Sequence, residues 1–78
     1  MKAKIYIKPS CPFCVNAVAL LNQKGIKTEV FDISSDPKLR AKISNSVGGY
    51  NTVPMIFLDG TFVGGCSELQ TLDKQGKL

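Results

Sequence analysis

The chain has 78 residues, 44% of them apolar and 21% charged, with ten Lys and Arg against six Asp and Glu for a net charge of +4. That length leaves room for one domain, residues 1–78, with a modest core, since a chain this short buries only roughly 60% of its unfolded surface. The composition excludes a disordered or fibrous protein and, with no run of about eighteen apolar residues, a membrane span; the basic residues are scattered apart from Lys38-Leu39-Arg40-Ala41-Lys42, which reads as a solvated helix face, so no nucleic-acid partner is expected.

Lys2 to Ile7 alternates lysine with apolar or small residues as a strand does, and Lys8-Pro9-Ser10 breaks it. From Pro12 to Lys24 the residues Phe13, Val15, Val18, Ala19 and Leu21 fit a helix, with Pro12 in its first turn and Gly25 as its stop. Lys27 to Ile33 reads as a second strand, parallel to the first because a helix joins them. Asp36-Pro37 is an N-cap with proline at the first helical position, opening a short helix through Leu39 and Ile43 that Gly48-Gly49 ends. Val53 to Leu58 is a third strand, and Asp59-Gly60 turns Thr61-Phe62-Val63 back against it as a hairpin. A last helix starts near Ser67 and Glu68, buries Leu69 and Leu72, and stops at Gly76. The order is β-α-β-α-β-β-α, an α/β domain without repeat or linker.

Three cysteines form an odd set, two of them as Cys11-Pro12-Phe13-Cys14, and the N-terminus lacks an apolar stretch of signal-peptide length. Reactive thiols in the cytoplasm are expected rather than a disulfide scaffold. At a helix start this spacing puts Cys11 ahead of the first turn and Cys14 one turn inside, on the face of Val18 and Leu21, so Cys11 should stay accessible while Cys14 leans into the core. Unpaired N–H groups and the helix dipole favour an anion at Cys11, and Lys8 adds a positive charge if the loop brings it near. A depressed pKa at Cys11 gives little net gain in attack, because nucleophilicity falls as the thiolate fraction rises, but it makes Cys11 a better leaving group. Cys-x-x-Cys also opens zinc sites. A four-ligand site would need histidines or a second pair, and the chain has no histidine and only Cys66 besides, so no metal is expected.

Cys11-Pro12-Phe13-Cys14 after a strand, Thr52-Val53-Pro54 before another, and Gly64-Gly65-Cys66 before the last helix together make a pattern that resembles the glutaredoxin family, in particular the short bacterial dithiol members. The resemblance implies a thioredoxin-like fold with four strands in the order 2-1-3-4 and three helices, and a thiol–disulfide oxidoreductase with glutathione as reducing co-substrate and no permanently bound cofactor. It implies Cys11 as nucleophile and Cys14 as resolving thiol. Lys8, Phe13, Thr52, Val53, Pro54, Gly65, Cys66 and Ser67 would form the glutathione site. Pro54 would be a cis proline that turns the Val53 backbone towards substrate, and the N–H groups of Cys66 and Ser67 would hold the γ-glutamyl carboxylate. Partners would be glutathione and glutathionylated or disulfide-bonded proteins, met by a monomer.

Phe13 stands where many members have tyrosine, Ser67-Glu68 replaces a frequent Asp-Asp, and Asn51 sits where Arg or Thr often precedes the Thr-Val-Pro. Two alternatives accompany this reading: a redoxin recharged by thioredoxin reductase, and a module binding an iron–sulfur cluster between two subunits through Cys11 and glutathione thiolates. Pro12 weighs against the second, since cluster-binding members tend to have glycine there.

Overall fold

The computed structural model describes residues 1–78, as β1 (Lys2–Ile7), α1 (Pro12–Gln23), β2 (Lys27–Asp32), α2 (Pro37–Ser46), β3 (Met55–Leu58), β4 (Thr61–Gly64) and α3 (Cys66–Lys74). The four strands form one sheet in the order β2-β1-β3-β4. β1 runs parallel to β2 and antiparallel to β3, which pairs antiparallel with β4. With its three helices this is the expected thioredoxin-like arrangement. No helix is long and apolar enough to cross a membrane.

Alternation along the strands decides which face is covered. Ala3 and Ile5 of β1 and Ile56 and Leu58 of β3 point to one side, where they pack with Ala17 and Leu21 of α1 and Cys66 and Leu69 of α3. On the other side Tyr6 stacks on Phe31 with ring centroids 5.0 Å apart, meets Phe57 edge-on at 5.8 Å, and Phe57 in turn packs against Phe62. There Ile43 and Ser46 of α2 border a groove of about 440 Å³ with Lys2, Lys4, Tyr6 and Phe57, and α2 buries no residue fully. The helices therefore divide between the faces, with α1 and α3 bearing the main core.

Local signals in the sequence act as chemistry requires. The Asp36 carboxylate accepts from the Leu39 N–H at 3.0 Å and caps α2. Asp59 and Gly60 both have positive φ, 49° and 82°, which the tight hairpin between β3 and β4 demands. Several boundaries differ from expectation, with α1 ending at Gln23 and β4 reaching Gly64. β3 begins at Met55 instead of Val53, because Pro54 has no N–H to give the ladder. β2 ends at Asp32, although Ile33 is buried and still donates to Ile7 O at 2.9 Å. α3 begins at Cys66, with Gly65 as its N-cap, one residue before Ser67. On α1, Cys14 and Leu21 are buried and Val18 packs against the core as their shared face predicts, and Ala17 joins them, whereas Phe13 and Val15 are 65% and 58% exposed.

Candidate active site

Cys11 is the N-cap residue of α1, with extended backbone and Pro12 next in the helix. Its N–H donates to Lys8 O at 3.0 Å, closing the loop after β1, and its carbonyl accepts from Cys14 and Val15 at 3.1 and 3.2 Å. These bonds set the start of the helix beside the Cys11 sulfur. The backbone N–H of Cys14 is the largest influence on that thiol and holds it below the ordinary cysteine range; the Cys14 thiol, the Phe13 N–H and the charge of Lys8 lower it further, while desolvation opposes them. Lys8 thus contributes, but behind the backbone.

Cys14 has no exposed surface. Burial pushes its thiol up from 9.0 to about 11, and the neighbouring Cys11 raises it as well. Two cysteines three residues apart are therefore shifted in opposite directions, the accessible Cys11 thiol down and the buried Cys14 thiol up. Cys66 is also buried, and desolvation raises it, with the charges of Cys11 and Glu68 adding to the effect. All three cysteines are free thiols. No three His, Cys, Asp or Glu side chains lie together as a metal site.

Beside Cys11 is a cleft of about 410 Å³. Phe13 of α1 and Thr52, Val53 and Pro54 of the segment before β3 supply part of its wall; Gly65, Cys66 and Ser67 from the start of α3 supply another. The Val53-Pro54 peptide bond is cis. Neither Cys11 nor Cys14 lines the cleft, but the Val53 carbonyl of its wall accepts from the Cys11 Sγ at 3.9 Å, a long contact of the kind sulfur makes. Lys8 is not part of the wall. It stays with the thiol pair through the turn that Cys11 closes.

Three wall residues fall outside the sequence expectation: Tyr50, Glu68 and Gln70. Glu68 belongs to the Ser67-Glu68 pair already distinguished at the helix start, and Gln70 follows it on α3. Tyr50 stands four residues before Pro54 in no motif, and only the folded chain brings it here. The Glu68 carboxylate accepts from Ser67 Oγ at 2.5 Å and from Tyr50 Oη at 3.5 Å. The Ser67 hydroxyl is the main reason this carboxyl sits below its usual range, and the N–H groups of Glu68 itself and Gly65 help.

The arrangement is suited to moving a disulfide: a thiol with lowered pKa at a helix end, a buried thiol with raised pKa behind it, and a cleft at its side. The glutaredoxin family model matches residues 3–63. A probable glutaredoxin of Synechocystis is 38% identical over 77 residues, covering 99% of this chain and 88% of the relative. Glutaredoxin 3 of Escherichia coli is 39% identical over 75 residues, covering 96% of this chain and 89% of the relative. Among solved structures, a glutaredoxin from Brucella melitensis superposes with a TM-score of 0.84 at 42% identity, covering 99% of this chain and 83% of that one. On fold, thiol geometry and these likenesses together, the chain belongs to the glutaredoxin family and is a thiol–disulfide oxidoreductase.

Proposed function

We propose that the chain reduces glutathione mixed disulfides, and protein disulfides, at the expense of glutathione. Cys11 in its thiolate form attacks the glutathione sulfur of a mixed disulfide. A bond forms between the two sulfurs, the substrate's own S–S bond breaks, and the substrate leaves as a thiolate that takes a proton from solvent. A second glutathione thiolate then attacks the bound glutathione sulfur, which forms glutathione disulfide and releases Cys11 as an anion. The lowered pKa of Cys11 favours this departure. For a protein disulfide, Cys11 attacks one sulfur and the other leaves as a thiolate; Cys14 then loses its proton and attacks Cys11, breaking the mixed disulfide, releasing the reduced protein and leaving a Cys11–Cys14 disulfide that two glutathione thiols reduce in turn.

The single observation that carries this reading is the cleft of about 410 Å³ joined to the Cys11 sulfur at Val53. Its wall offers what a γ-glutamyl tripeptide needs. The Val53 N–H has no backbone partner and lies in the bend before β3, able to pair with the backbone of a bound peptide. The N–H groups of Cys66 and Ser67, first in α3, attract a carboxylate. The ionised Glu68 beside them suits an ammonium group. Lys8, near the thiol, adds positive charge at the other reach of the site. Pro54 and Phe13 give apolar surface between.

Replacing Cys11 with serine tests the reading. Cys11→Ser should reduce deglutathionylation to background, while Cys14→Ser should keep it and lose the reduction of protein disulfides. A Cys11→Ser protein that still removes glutathione at the normal rate would overturn the mechanism.

A further inference from the structure

We infer that Tyr50 is a positioning residue that acts through Glu68 to make the cleft selective for ligands carrying a free ammonium beside a carboxylate; this rests on the glutathione reading above. Tyr50 is held at three points. Its carbonyl accepts from Ser44 Oγ of α2 at 2.6 Å, its ring meets Phe62 of β4 edge-on with centroids 5.0 Å apart, and its hydroxyl donates to Glu68 Oε1 at 3.5 Å. A Cβ at Gly65 would stand 2.8 Å from that hydroxyl, so the phenol occupies space which only a glycine leaves open.

Glu68 is folded back in the same way. A Cβ at Gly64 would lie 2.9 Å from its Cγ, and its second carboxylate oxygen accepts from Ser67 Oγ. Two adjacent glycines thus make room for one phenol and one carboxylate. The carboxylate lies back over the start of α3, by the Gly65 N–H, with one oxygen taking the Tyr50 hydroxyl and the other the Ser67 hydroxyl. Tyr50 and Ser67 together fix it there, which sets a negative charge next to the N–H groups of Cys66 and Ser67 that would meet a ligand carboxylate. A lone carboxylate ligand then meets repulsion from Glu68. A zwitterionic end, as on a free γ-glutamyl group, meets an attraction for each of its charges.

The test compares two mixed disulfides with the same leaving thiol, one of glutathione and one of N-acetylglutathione, by kcat/KM. The wild-type chain should favour the free amine by about tenfold, as expected for one hydrogen bond between charged groups. Tyr50→Phe keeps the ring on Phe62 and removes the hydroxyl; the preference should fall about fivefold, mainly through KM for the free-amine ligand, with the pH titration of Cys11 unmoved. In a Glu68→Gln background the same Tyr50→Phe change should leave the preference as it is, because its effect passes through the carboxylate. An unaltered preference in Tyr50→Phe overturns the inference, as does a loss that strikes both ligands equally or persists without the Glu68 charge. A wild-type chain that uses both ligands equally overturns it alone. A wild-type chain inactive on both overturns the glutathione reading too.

Discussion

The Cys11 sulfur and the Val53 carbonyl oxygen, 42 residues apart in sequence, lie 3.9 Å from one another. This contact joins the helix that tunes the thiol to the segment that borders the cleft. A ligand sulfur placed against Cys11 therefore has the Val53 backbone alongside it, and the geometry of attack and the holding of the peptide come from the same place.

Backbone N–H groups dominate the lowering of the Cys11 thiol, and Lys8 acts only as a nearby charge. Lys8→Ala should therefore raise the Cys11 pKa by less than about 0.7 unit, the equivalent of an exposed charge pair. The rate of iodoacetamide alkylation against pH measures it, with Cys14→Ser as the background. A rise above about two units would mean that the charge and not the helix end governs the thiol.

Cys14 should weaken the reduced protein at high pH. Its folded pKa is raised to about 11, above the unfolded value, so the stability that its buried neutral thiol contributes is whole below the unfolded pKa and is lost as pH rises through about 11. Thermal melts from pH 8 to pH 11 should show a falling Tm in the reduced wild type, and a smaller fall in Cys14→Ala. Equal slopes in the two proteins would contradict the assignment.

Gly64 and Gly65 should respond differently to alanine. Gly64 has φ 124°, where a side chain is strained, and its Cβ would press on Glu68, so Gly64→Ala should cost about 1–3 kcal/mol in urea unfolding. Gly65 has φ −101°, an ordinary value, and its Cβ would meet only the hydroxyl end of the Tyr50 side chain closely. Gly65→Ala should unfold nearer to wild type but raise KM for a glutathione mixed disulfide, because the phenol must move. Equal stability losses in the two variants would show that backbone conformation is not what separates them.

What could be read from the sequence was chiefly local. The N-cap at Asp36, the hairpin at Asp59-Gly60 and the helix after Cys11 each rest on contacts between residues a few positions apart, and their chemistry is explicit in the residue types. The thiol asymmetry follows from helix geometry in the same way. The place of Ala17 on the inner face of α1 was less legible: Phe13 and Val15 are more apolar, yet Ala17 is the buried residue, because a small side chain allows the helix to sit close to the sheet residues Ala3 and Ile5. Tyr50 could not be found at all by such reasoning. Its place depends on Ser44, Phe62 and the start of α3 with Gly65 and Glu68, which meet it from three different parts of the chain.

The most direct measurement is peptide mass spectrometry of the reduced Cys14→Ser protein after incubation with glutathione disulfide at neutral pH. One glutathione should be found, on Cys11, with Cys66 unmodified. An untouched Cys11, or glutathione on Cys66 in its place, would contradict the assignment of the nucleophile and the cleft beside it.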